Sequence, residues 1–256
     1  RTVGNFLSLL RQSSINGLIA FGMTCVILTG GIDLSVGSVL ALSTALCAGF
    51  ISNGMPVGAA MLLALVIGTG LGFISGILVT KGRLQPFIAT LVTMTVLKVV
   101  GKGNFYHIPI PVILFILIFA LFMFILEKTT FGRRVYATGS NWEAARLAGV
   151  NIHRTKLAVY AISGGMAALS GLILLSRLGS AQPNLGDGYE LDAIAAVALG
   201  GTSMNGGRGR IWGTFVGVLI IAVLNNGLNI LGVSSYYQDV VKGIVILIAV
   251  LSDRKR

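Results

Sequence analysis

From residue 34 to residue 80 the chain reads LSVGSVLALSTALCAGFISNGMPVGAAMLLALVIGTGLGFISGILVT, without one Asp, Glu, Lys or Arg. As a single α-helix this run would extend roughly 70 Å at 1.5 Å per residue, while a bilayer core is only about 30 Å thick. It must fold back on itself. Asn53, Gly54 and Pro56 supply turn residues, which divides the run into one span over about 34–52 and another over about 57–79.

The same reading, carried outward, finds apolar spans over residues 12–32, 86–99, 108–126, 157–176, 211–231 and 239–251, and a marginal stretch over 192–206 that reads as a short or broken span. The 256 residues are 55% hydrophobic and 11% charged, with a mean hydropathy of +0.90. Soluble domains carry about a quarter charged residues, so this composition excludes both a soluble globular domain and a disordered chain. The fold class is all-α, a polytopic transmembrane helical bundle with broken helices, forming a single transmembrane domain over 1–256. Cys25 and Cys47 both lie inside apolar runs, where they read as helix-packing residues rather than a disulfide framework.

Nineteen Lys and Arg stand against eight acidic residues, a net charge of +11. In a soluble protein this would suggest nucleic acid. Here it follows from the enrichment of short cytoplasmic loops in Lys and Arg, and no nucleic-acid partner is implied. Alternating the loops puts Lys81, Arg83, Lys128, Arg133, Arg134, Arg146, Arg154, Lys156, Arg208, Arg210, Arg254, Lys255 and Arg256 on one face and Arg1, Arg11, Lys98, Lys102 and Arg177 on the other. The first face is therefore expected to be cytoplasmic, with the C-terminus on that side. Arg1 then lies outside, so a cytoplasmic start would require a further span before it. Ser75-Gly76-Ile77-Leu78 followed by Gln85-Pro86 is echoed by Ser170-Gly171-Leu172-Ile173 followed by Gln182-Pro183, in spans that cross in opposite directions. Either this marks an inverted repeat of the kind common in transporters, or Ser-Gly steps are simply helix-packing chemistry.

Two segments stand out for their polar groups. In Gly31-Ile32-Asp33-Leu34-Ser35-Val36-Gly37-Ser38 a carboxylate and two hydroxyls are bracketed by glycines between apolar spans. Asp33 either caps the following helix by accepting the amide of Ser35 or Val36, or lies in a helix break on a solute pathway. The loop between the 108–126 and 157–176 spans contains Asn141-Trp142-Glu143-Ala144-Ala145-Arg146-Leu147-Ala148-Gly149. Asn141 can cap a short helix there, with Glu143 in its first turn and Gly149 closing its end. Such a helix could dock on a partner or lie on lipid headgroups.

These segments, with Gly188-Tyr189-Glu190-Leu191-Asp192-Ala193-Ile194-Ala195-Ala196-Val197, Leu199-Gly200-Gly201-Thr202-Ser203, Asn225-Asn226-Gly227-Leu228-Asn229 and Gly232-Val233-Ser234-Ser235-Tyr236-Tyr237-Gln238, resemble the membrane subunit of ABC sugar importers, most of all the ribose permeases. The resemblance runs in order along nearly the whole chain. It implies a homodimer of permeases in the bacterial cytoplasmic membrane, a cytoplasmic ATP-binding subunit that holds the ATP and Mg, and a periplasmic or lipid-anchored sugar-binding protein. Residues 143–149 match that family's coupling helix. Relatives have an extra N-terminal span and a longer external segment, where this chain passes from Val100 to Gly101, so residues are expected to be missing near 100–101.

The remaining polar residues fit this frame. Asn225, Asn226 and Asn229 share one helix, where their amides could meet sugar hydroxyls or a neighbouring helix. Asp187, Glu190 and Asp192 read as an outer acidic cluster, either a contact for the binding protein or ordinary loop charges. His107 and His153 have no Cys or carboxylate at ligand spacing, so the sequence indicates no metal site. There is no Gly-x-x-x-x-Gly-Lys-[Ser/Thr] loop, so the chain is not expected to be an enzyme or to hold a cofactor, and ATP would have to act through a partner. The rival reading, an ion-coupled secondary transporter, would rest on Asp33 as its membrane-embedded acid.

Overall fold

A computed structural model describes residues 2–81, 85–86, 111–180 and 185–253. The expected 86–99 span, apart from Pro86, the outer segment around 101–106, His107, Gln182-Pro183 and the Arg254–Arg256 charges lie outside the described residues.

Among the described residues the chain is helical and has no strand. The helices are α1 (Thr2–Leu28), α2 (Val36–Ser52), α3 (Val57–Thr80), α4 (Pro111–Lys128), α5 (Thr130–Ser140), α6 (Trp142–Leu147), α7 (Ile152–Leu178), α8 (Tyr189–Leu199), α9 (Ile211–Ile230) and α10 (Ser235–Asp253). The α2–α3 turn falls at Asn53 to Pro56, where the turn residues placed it. Two boundaries differ from expectation. The 192–206 stretch is an eleven-residue helix starting at Tyr189 and stopping at Leu199, about 16 Å long and too short to cross a bilayer. Gly200 and Gly201 stop it, so the stretch is a broken span. The segment 130–140, read as loop, is a helix bent 70° from α4. Thr129 caps it by accepting the Gly132 amide at 3.2 Å, and Gly132, Val135 and Thr138 form its buried side.

The centre of the bundle is α1, which packs against α4, α7, α8 and α9. From Ile15 to Leu28 its apolar side chains are at most 1% exposed. A helix buried on every side needs no polar face, which is why its sequence is apolar all round. Some of its polar residues bond within the helix and some across to others: Ser13 and Ser14 donate to the carbonyls of Leu9 and Leu10, and Thr24 bonds the Ala20 carbonyl and Thr214 of α9. Phe21 stacks on Phe115 of α4 at 5.3 Å between ring centres, and Phe115 stacks on Phe215 of α9. Such pairs add about 0.5–1.5 kcal/mol each beyond area burial.

The second seam is α3 against α7. Gly72 faces Gly164, and a methyl group on Gly72 would overlap the Tyr160 carbonyl oxygen. Small residues here let two backbones approach, the usual basis of helix association in lipid. Gly76 meets Leu157 and Tyr160, whereas Gly171 meets Leu40 and Thr44 of α2. The glycines of the two echoed Ser-Gly steps are thus packing positions, each against a different helix. The outward faces of α3, α9 and α10 expose Leu62, Val66, Phe73, Val223, Ile244 and Ile248, apolar surface suited to lipid or to another apolar partner rather than to water.

Candidate functional site

Asp192 lies one turn into α8 and is 6% exposed. A carboxylate removed from water needs charged or hydrogen-bonding partners. Three helices supply them. Lys242 of α10 puts Nζ 2.8 Å from Oδ1, while Asn225 of α9 and Asn16 of α1 donate to Oδ2 at 3.0 and 3.1 Å. Lys242, 8% exposed, also reaches the exposed Asp239 at 3.4 Å. Gln238 donates to Asn229 Oδ1 and to the Val233 carbonyl, fixing the α9–α10 turn.

The three residues of the expected outer acidic cluster differ in their settings. Asp187 is exposed and Glu190 half-buried beside Gly37, but Asp192 points into the bundle and is engaged by an internal cation. Asn16 and Lys242 were not identified as site residues from sequence. The available signal was Lys242 itself, a lone cation in an otherwise apolar stretch of α10, which requires a counter-charge.

Around this pair is a cavity of about 310 Å³, lined by Gln12, Arg177, Asp192, Asn225, Asn226 and Lys242 among others. Asn229 and Asp187 also reach its wall. Arg177 donates to Gln12 Oε1 at 2.6 Å, and Gln12 reaches the Tyr189 hydroxyl at 3.5 Å. The structure thus brings together Asn225, Asn226 and Asn229, separately expected on a pathway, with two of the residues assigned to docking.

The Asp33 segment lies elsewhere, between α1 and α2. Asp33 is fully buried. Its Oδ1 accepts the Ser35 amide at 3.0 Å and the Ser35 hydroxyl at 2.6 Å, so it serves one of the two amides named from sequence. Its Oδ2 accepts the hydroxyl of Ser163, in the middle of α7, at 2.8 Å. The carboxylate is therefore both a local turn former and a tether between elements. Gly31 packs against the Tyr160 ring and hydroxyl, and the Gly207 amide bonds the Leu28 carbonyl, closing the end of α1.

α7 spans about 40 Å at 1.5 Å per residue, with Arg177 at one end and α6 preceding the other. Asn141 caps α6 by accepting the Ala144 amide at 3.0 Å. At its C-terminus the Val150 amide bonds the Ala145 carbonyl and the Gly149 amide bonds the Arg146 carbonyl. With Gly149 at φ +82°, this is a Schellman stop. Asn151 then caps α7. Ala145 is buried and holds α6 against the bundle, while Trp142 and Leu147 are 53% and 85% exposed. Arg146 lies over the Trp142 ring at 5.7 Å, beside a recess lined by Gly149, Val150 and His153. Among the described residues no group of His, Cys, Asp or Glu is placed to hold a metal ion.

Comparison with known proteins gives a consistent result. The family described as "Branched-chain amino acid transport system / permease component" matches residues 5–108 and 96–250. The ribose import permease protein RbsC of Bacillus subtilis is 57% identical over 98% of this chain and 85% of its own length. That of Escherichia coli K12 is 47% identical over 100% and 87%, and the D-allose transport system permease protein AlsC of the same strain 39% over 99% and 84%. No solved structure matches.

Proposed function

Since the chain belongs to the branched-chain amino acid transport system / permease component family, we propose that it is the membrane subunit of an ATP-driven importer that carries ribose or a related sugar. The observation that carries this reading is 57% identity to a ribose import permease along 98% of the chain. The chain is a multi-pass membrane protein and a transport permease rather than an enzyme. In this reading it sits in the bacterial cytoplasmic membrane, pairs with a second copy of itself, and works with a separate ATPase that holds ATP and Mg and with an external sugar-binding protein.

Residues 143–149, which take in most of α6 and its Gly149 stop, would be the coupling element, with Leu147 and the adjoining Trp142 offered to a groove on the ATPase. The short capped helix is tied to the bundle by Ala145 and followed at once by α7, so a push on α6 reaches a helix that runs to the cavity. The positive charges around it, Lys128, Arg133, Arg134, Arg154 and Lys156, support a cytoplasmic position for this end and an external one for the cavity. Asp187 and Glu190 remain candidates for the contact with the binding protein.

Reconstitution in vesicles tests the reading. With the binding protein outside and the ATPase and ATP inside, labelled ribose should accumulate without an ion gradient. Uptake driven by a proton or sodium gradient in the absence of ATP would overturn it in favour of a secondary transporter working through Asp33.

A further inference from the structure

The chain places one buried ion pair, Asp192–Lys242, in the wall of a cavity lined by both polar and apolar groups, although replacing such a pair with apolar residues is often neutral or stabilising. Ionisable groups buried among the helices of a membrane protein generally mark a pathway. We propose that this cavity is a transit site for a single monosaccharide, in which sugar hydroxyls insert between the groups of the Asp192–Lys242–Asn225 cluster. This rests on the sugar-importer reading and adds to it the place and chemistry of solute contact.

Four observations support the assignment. The volume, about 310 Å³, lies at the small end of ligand pockets, which run from roughly 300 to 1,000 Å³, so it suits one ring rather than a chain of them. The lining carries two cations, Arg177 and Lys242, and two carboxylates, Asp187 and Asp192, so it favours a solute with no net charge over a lone ion. Each sugar hydroxyl donates once and accepts twice, and the wall offers both kinds of partner in Asp192, Gln12, Asn225, Asn226 and Lys242. One buried acceptor of a lining residue, Oδ1 of Asn225, has no hydrogen-bond partner among the described residues. It is capacity held next to Asp192 for a donor that arrives.

The rival solute is a zwitterionic branched-chain amino acid. Its charged ends could bridge Lys242 and Asp192, but its side chain would need an aliphatic wall, and among the described lining residues the aliphatic side chains are Leu9 and Ala222. A polyol is the better fit.

The test is protection of a cysteine in the cavity. Asn226→Cys, in a chain carrying Cys25→Ala and Cys47→Ala, is assembled with its ATPase and labelled with a small water-soluble thiol reagent, both at rest and during turnover with sugar-loaded binding protein. Ribose at millimolar concentration should slow labelling at least threefold and saturably in one of the two conditions, while equal leucine should not. In Asp192→Asn/Lys242→Gln, which removes both charges and keeps hydrogen-bonding groups, protection should need at least tenfold more ribose. An unchanged labelling rate in a complex that still accumulates ribose with ATP overturns the site and leaves the importer reading intact. Protection by leucine and not ribose overturns the sugar assignment. Unaltered protection in the double variant removes the ion pair from the site. Failure of ATP-driven sugar uptake by the wild-type complex would instead overturn the importer reading itself.

Discussion

Ser163 Oγ donates a 2.8 Å hydrogen bond to Oδ2 of Asp33, joining the break between α1 and α2 to the middle of α7. Ser35 occupies the other carboxylate oxygen through its amide and its hydroxyl. Asp33 is thus used up by structure on both sides, and its contribution is to hold an interrupted backbone where water cannot satisfy it.

Asp33→Asn should therefore be tolerated better than Asp33→Leu. Asn retains an acceptor for the Ser35 amide, and its NH₂ can donate to the Ser163 hydroxyl. Leu leaves buried donors unpaired, at about 1–3 kcal/mol. Thermal denaturation of the purified permease should show Leu well below Asn, and Ser163→Ala between wild type and Leu. Equal loss of transport by Asn and Leu in normally assembled protein would show that the charge itself acts in transport.

Lys242→Met removes the cation from a carboxylate that is 6% exposed. Stranding one member of a buried pair typically costs about 3–5 kcal/mol, whereas removing both charges costs far less. Lys242→Met should assemble poorly, and adding Asp192→Asn should restore much of the yield, as measured by size-exclusion recovery and melting temperature. If the second change restores nothing, the pair is not what stabilises this end of the bundle.

The order of helices and the α2–α3 turn could be read from the sequence because length without charge has few interpretations in a membrane protein. Partner choice could not. Asp192 lies close to Asp187 and Glu190 in sequence and looked like part of one exposed cluster, whereas helical geometry turns it inward by one turn of α8. Its partners Asn16 and Lys242 are 176 and 50 residues away, a separation that no local pattern encodes. Segment 130–140 was missed for the opposite reason: it is short and rich in Gly and Thr, and its helix depends on the Thr129 cap and on the surface that covers Val135. The Asn141 and Gly149 signals of α6 are local, and they were readable.

The burial of Asp192 sharpens the docking expectation. Neutralising Asp187 and Glu190 together should slow association of the binding protein, with the loss shrinking as salt rises and charges near the surface are screened over about 8–10 Å. Surface plasmon resonance on nanodisc-embedded permease measures this directly. Association unchanged at low salt would remove both residues from the docking contact.

Gly149→Val gives the most selective test of α6. Gly149 has φ +82° and open space around the position of a Cβ, so a side chain there clashes with nothing and the penalty is purely one of backbone conformation, roughly 1–2 kcal/mol for a left-handed residue and more for a β-branched one. The chain can relieve that strain by abandoning the Schellman stop, which releases the Val150–Ala145 hydrogen bond and turns Trp142 and Leu147 away from their present direction. The bundle should not register the change, because Gly149 is exposed and no buried packing depends on it. The variant is therefore expected to insert and melt like wild type, yet to lose pull-down of the ATPase, or to keep it while ATP hydrolysis stops responding to sugar-loaded binding protein. Gly149→Asn, which enters the left-handed region more readily than Val, should fall between the two. Wild-type pull-down and stimulated hydrolysis in Gly149→Val would remove α6 from coupling and leave it as a connector lying on lipid headgroups.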